Sequence, residues 1–164
     1  MRARILGVVL IVLCLHGCTN NAETPRQVHT SFTDSSGLTV TDNNGNSQQL
    51  IAESLGVRVV VSPSAEWIVV EDMQLSNLVV IRAFHHTSHG YQEVPLPEIK
   101  QHWQAIAQKA GINMEDLTHA RVGIEEFGPH DNTVSLSFQA DAAVAGEPDL
   151  VSVIEIKLDQ HKED

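Results

Sequence analysis

Cysteine is nearly absent from this chain, and both copies, Cys14 and Cys18, fall within the first eighteen residues. Whatever folds beyond them has no disulfide and no thiol nucleophile, so packing alone must stabilise it. Aromatic residues are scarce as well, at two Trp, one Tyr and four Phe. Val, Ile and Leu therefore carry the core, a bias that favours strands. Cations are outnumbered, with ten Lys and Arg against twenty-one Asp and Glu. The resulting net charge of −11 argues against nucleic acid and against docking on anionic lipid headgroups. It suits a basic protein partner, or solubility alone. Also missing are G-x-S-x-G, S-x-x-K, H-E-x-x-H and any phosphate-cradling glycine loop. No motif names a reaction, and the expectation is a protein that is not an enzyme.

The N-terminus is more informative. Arg2 and Arg4 precede an apolar run of eleven residues, Ile5 to Leu15, and Gly17 stands just before Cys18. Charge, short apolar core and small residue are the parts of a secretory signal. The run falls short of the ~20 residues a membrane-spanning helix needs. Leu15-His16-Gly17-Cys18 resembles a bacterial lipobox. His16 departs from the small or aliphatic residue usual at its position, which bears on cleavage efficiency more than on the cleavage site. Cys14 is the rival acceptor, but Leu13 before it is too bulky for the pattern. The lipoprotein resemblance implies removal of residues 1–17 and a thioether-linked diacylglycerol on Cys18. It also implies a further acyl chain, such as palmitate, on the new amino group, and two or more chains anchor stably. Thr19, rather than the Asp that marks inner-membrane retention in enterobacterial-type lipoproteins, favours an outer-membrane protein facing the periplasm, with a Gram-positive cell surface as the alternative. The mature chain would keep 147 residues, and losing both arginines takes its charge to −13.

Residues 18–30 read as a lipidated cysteine and polar tether, residues 31–160 as a single globular domain, and 161–164 as a charged tail. Within the domain, Asp34-Ser35-Ser36-Gly37 and Asp42-Asn43-Asn44-Gly45 are turn clusters around a short strand, Leu38 to Thr41. Further strands are expected over Gln48–Ser54, Val57–Val61, Trp67–Glu71, Leu78–Phe84, Thr118–Phe127, Thr133–Ala140 and Leu150–Leu158. Leu78–Phe84 lacks alternation, which suggests burial on both faces. The stretch from Ser62 to Val70 resembles one strand-turn-strand unit of a TolB-type propeller. A propeller needs at least four such blades, so this is read as local meander. Ile99, Trp103, Ile106 and Ala110 recur at helical spacing between Pro97 and the natural stop Gly111. The expected fold is α+β, a mainly antiparallel β-sheet of about seven to eight strands with one amphipathic helix at about 97–110.

Four constellations can carry chemistry. His85, His86 and His89 put three imidazoles into five residues, suited to zinc or copper if the strand ends near Phe84 and a loop lets them converge. His102, His119 or His130 would supply a fourth ligand. Asp42, Asn44, Asn46 and Glu53 match part of an EF-type calcium loop. Ser47 stands where that pattern wants Gly, however, and a hairpin turn explains the same letters more simply. Glu71-Asp72 and Glu125-Glu126 are carboxylate pairs, but strand neighbours face opposite ways. Acid–base chemistry would need two strands to cooperate, as Glu71 with Glu126. Lastly, Phe84 to Pro97 reads as a long loop in which Phe84, Tyr91 and Glu93 form a partner-binding surface.

The leading expectation is thus a membrane-anchored periplasmic lipoprotein acting as a protein-binding module. Envelope assembly accessories and toxin-neutralising immunity proteins are of this kind. The alternatives are a metal-binding lipoprotein using the His cluster and an envelope hydrolase.

Overall fold

The computed structural model describes residues 26–33, 37–76, 78–96, 99–142 and 149–158. Cys18 with the lipobox-like segment, the tether as far as Pro25, the helix-leading Pro97 and Glu98, and the charged tail lie outside them.

Ten strands form three antiparallel sheets, each a meander of chain neighbours. The N-terminal sheet holds β1 (Val28–Thr33), β2 (Gly37–Asp42) and β3 (Ser47–Ile51). The central sheet holds β4 (Gly56–Val61), β5 (Trp67–Leu75), β6 (Leu78–Thr87) and β7 (Gly90–Val94). Helix α1 (Ile99–Ala110) follows, then the C-terminal sheet of β8 (Leu117–Phe127), β9 (Thr133–Ala142) and β10 (Leu150–Lys157), with β9 in the middle. This is the expected α+β, mainly antiparallel class, with more strands than expected. The two additions are β1, which starts inside the segment read as tether, and β7, which lies in the segment read as loop.

The central sheet is buried on both sides, and β5 shows why. Trp67 and Val69 pack with Ile124, Leu136 and Phe138 of the C-terminal sheet and with Trp103 of α1. Their strand neighbours Ile68 and Val70 point the other way, into Leu38, Val40 and Ile51 of the N-terminal sheet. Those four β5 residues are at most 1% exposed. Doubly buried character therefore belongs to β5 rather than to Leu78–Phe84. The reason lies in pairing: β7 reaches only Ala83 to Thr87, so among the described residues the first half of β6 has no strand paired on that side, and it stays partly exposed.

Helix α1 buries Trp103, Ile106 and Ala107. The Trp103 ring meets Phe138 edge-on at 5.1 Å between centroids, which pins the helix to β9. At the C-terminal end Gly111 (φ +75°) takes the left-handed conformation. Ile112 N–H then bonds Ala107 C=O at 3.0 Å and Gly111 N–H bonds Gln108 C=O at 3.2 Å, the paired closure that satisfies orphan helix carbonyls. Gly37 is needed for a different reason. A Cβ there would sit 1.9 Å from the Ile51 carbonyl oxygen, where β2 starts against β3.

Candidate functional site

The residues singled out from the sequence do not form the surface or the metal cluster expected of them. Phe84 and Tyr91 are only 3% and 6% exposed, because β6 runs on to Thr87 and turns tightly into β7. Both rings belong to the core between the N-terminal and central sheets. Of the three partner-binding candidates only Glu93 is at the surface, and Arg82 holds it through both carboxylate oxygens at 2.9 and 2.5 Å.

The same strand continuation separates His85 from His86, while His86 and His89 line one cavity. His85 pairs across from Trp67 with ring centroids 4.5 Å apart, on the face toward α1 and the C-terminal sheet. His86 lies on the opposite face, edge-on to Tyr91 at 5.0 Å. His89 sits in the β6–β7 turn, its Nδ1 3.1 Å from Ser88 Oγ. Among the described residues no three His, Cys, Asp or Glu side chains are placed to share a metal ion. His119 is bound to Asp141 at 2.8 Å, and His102 lies against Phe138. Neither joins the three.

Asp42 behaves as a turn residue. Its Oδ1 accepts the Asn44 and Asn46 amides at 2.8 and 2.9 Å, and its Oδ2 accepts Asn46 Nδ2 at 2.9 Å. These bonds, that to the Asn46 side chain foremost, hold its carboxyl below the usual carboxylate range. Glu53 lies past the far end of β3, so the calcium-like letters describe a hairpin. Glu71 is engaged with Arg58 at 3.0 Å and with Ile124 N–H at 2.6 Å, and Glu125 and Glu126 are exposed. Asp72 faces the opposite side, as strand geometry requires. It is wholly buried, and its Oδ2 binds Arg82 at 3.3 Å while Oδ1 has no partner among the described residues.

What the two hairpin ends do build is a polar cleft. Two adjoining cavities of about 460 and 430 Å³ share Asp42, His86 and Tyr91. Gln48 stitches the cleft together: Nε2 donates to Tyr91 C=O at 2.6 Å, and Oε1 accepts Tyr91 N–H at 2.8 Å. Burial foremost, with the nearby Arg26 and His85 charges, lowers the His86 pKa, so its imidazole favours the neutral form. Burial raises the Tyr91 phenol above its ordinary value, and its hydroxyl is taken by Ala65 C=O. Ser88 Oγ and His89 Nδ1, 3.1 Å apart, stand at the cleft's exposed rim. Asp42, Asn44 and Asn46 serve their own turn, and Gln48 joins the two sheets.

Sequence reasoning missed the most unusual surface. Leu55, Met73, Leu75 and Leu78 are 63%, 41%, 57% and 43% exposed. They gather at one end of the central sheet. Leu75 is paired with Leu78 beside the β5–β6 turn, and Leu55 N–H bonds Met73 C=O at 2.8 Å. The signal was present in Leu75-Ser76-Asn77-Leu78, where large apolar residues flank a turn that has no core to face. This end lies away from the entering chain. Val28 pairs with Asp42, and Arg26 lines the cleft beside His86, at the opposite end of β6 from Leu78. Ten residues of β6 separate the two ends by roughly 30 Å at about 3.3 Å per residue.

Comparison of the chain with protein families, with curated proteins and with solved structures gives no match.

Proposed function

We propose that this chain is an envelope lipoprotein, anchored through Cys18 in the outer membrane and facing the periplasm, whose domain binds another protein. The observation that carries the reading is the apolar tip formed by Leu55, Met73, Leu75 and Leu78. Contiguous large apolar side chains in water are a marker of an interaction site. Burying one fully exposed leucine is worth about 1.5–3 kcal/mol, and the three leucines and one methionine of the tip, each 41–63% exposed, would add part of that apiece to anchoring a partner. The tip lies at the opposite end of β6 from Arg26 and the Val28–Asp42 pair, where the described chain begins. The lipobox-like N-terminus supports the address, and the net charge of −11 supports a basic partner steered in by charge. The His-cluster and hydrolase alternatives have no corresponding support, since His85 and His86 point to opposite faces and Glu71 is committed to Arg58.

The experiment compares the native chain with a Leu75→Ser, Leu78→Ser double variant, each captured from its own envelope after crosslinking. One stoichiometric protein on the native chain, lost from a double variant that remains folded, is the expected outcome. The same protein on both would remove the tip from the reading. Acyl-chain labelling of the native chain, abolished by Cys18→Ser, is expected from the anchor.

A further inference from the structure

A sheet edge exposes backbone N–H and C=O groups that can pair with another strand, and folded proteins usually block such edges. The C-terminal sheet has two of them. On β8 the edge is blocked at Ile124: Glu71 accepts its N–H at 2.6 Å, and Arg58 donates to its C=O. Along β10, no strand among the described residues pairs with the outer side.

The side chains of β10 fit this openness. Val151 and Val153 stand 67% and 61% exposed on the solvent face. Val153 pairs with Ser137, which pairs in turn with Gly123. Ser137 is buried between them at 7% exposure, so the uncovered apolar surface on this face is the two valines at the edge. Glu155 and Lys157 continue the same face, and Asp149 precedes it.

Resting on the binding-module reading above but using a second surface, we propose that β10 is a strand-addition site for an extended, basic segment of another protein. Main-chain hydrogen bonds of the incoming segment would extend the ladder to a fourth strand, the mode in which alternate side chains supply selectivity. Apolar residues at every second position would cover Val151 and Val153, and a lysine or arginine would lie within reach of Glu155. The occupant is basic because the chain carries −11, a field that draws in cations and opposes a second copy of itself.

The test uses the full chain in a zwitterionic detergent, followed by hydrogen exchange at peptide resolution. The probes are a synthetic heptapeptide with lysine at its first and seventh positions, valine at its third and fifth and threonine between them, so that lysines and valines share one face, and its counterpart with glutamate for lysine. The basic peptide is expected to slow exchange across Leu150–Lys157 at least tenfold, weaken with added salt, and lose its effect on a Val151→Asp, Val153→Asp variant whose Ile124 exchange is unchanged. The acidic peptide is expected to do nothing. Equal protection by both peptides, or none by either, would overturn the proposal. So would protection that grows with protein concentration without peptide, which would make a second copy the occupant. The Leu75→Ser, Leu78→Ser variant separates the two surfaces. Peptide protection is expected to persist on it, so loss of partner capture there bears on the tip alone.

Discussion

β8 and β10 flank the same strand, β9, and differ in what lies beyond them. β8 crosses over the central sheet, where the Arg58–Glu71 pair reaches up to a main-chain irregularity between Ile124 and Phe127 and takes both polar groups of Ile124. β10 faces outward with two valines uncovered. One edge is closed by charged side chains supplied from another sheet, and the other is left unpaired. The contrast teaches that an edge is silenced by what the tertiary arrangement lays beside it, since both strands are comparably rich in β-formers.

The shared strand sets the scale. Leu136→Ala, which empties a fully buried position of β9, should weaken both edges together and cost about 2–5 kcal/mol, read from urea unfolding. Glu71→Ala is expected to cost less, about 1.5–3 kcal/mol for charge-assisted bonds lost at a half-covered site. In hydrogen exchange it should free the Ile124 amide while leaving β10 unchanged. Equal acceleration of both edges would break the comparison. In the native protein, the Ile124 amide should exchange at least ten times more slowly than the outward amides of β10, because local opening tracks exposed backbone bonds.

Acid also acts at His86, on the joint between the N-terminal and central sheets. The folded state lowers the His86 pKa below its ordinary 6.5, so the unfolded chain binds more protons as the pH falls through that value. Stability should therefore be fully present above it and decline as the pH drops from about 7 toward 5. His86→Gln should flatten this slope without altering the difference between β8 and β10. The smallest stability effect belongs to Val153→Thr, expected within about 0.5 kcal/mol of the native chain because the site is at the surface. Its consequence should appear in peptide protection instead.

Much of the fold was legible. Alternation in Val134, Leu136 and Phe138 placed β9, and the spacing of Ile99, Trp103 and Ile106 with Gly111 placed α1. Both patterns reflect one buried face, a property local to the segment. β1 was missed because His29, Thr30 and Ser31 interrupt the apolar pattern between Val28 and Phe32 and the strand is mostly exposed. β7 was missed because Gly90 and the histidines read as loop, whereas Gln48 and the Ala65 carbonyl hold Tyr91 in place from distant parts of the chain.

The candidate site was less legible still. That His85 and His86 would point apart on a continuing strand followed from their adjacency, but whether the strand continued depended on β7 pairing with it. Alternation and turn chemistry by themselves determined which segments are strands, where the helix stops and which residues seek burial, because those depend on neighbours within a few positions. Only the tertiary structure decided which strand is buried twice, that Tyr91 is core, that Leu75 and Leu78 are left in water, and that β8 is blocked while β10 is open. Each of those depends on which sheet lies against which, and the contacts that settle it join residues far apart in the chain.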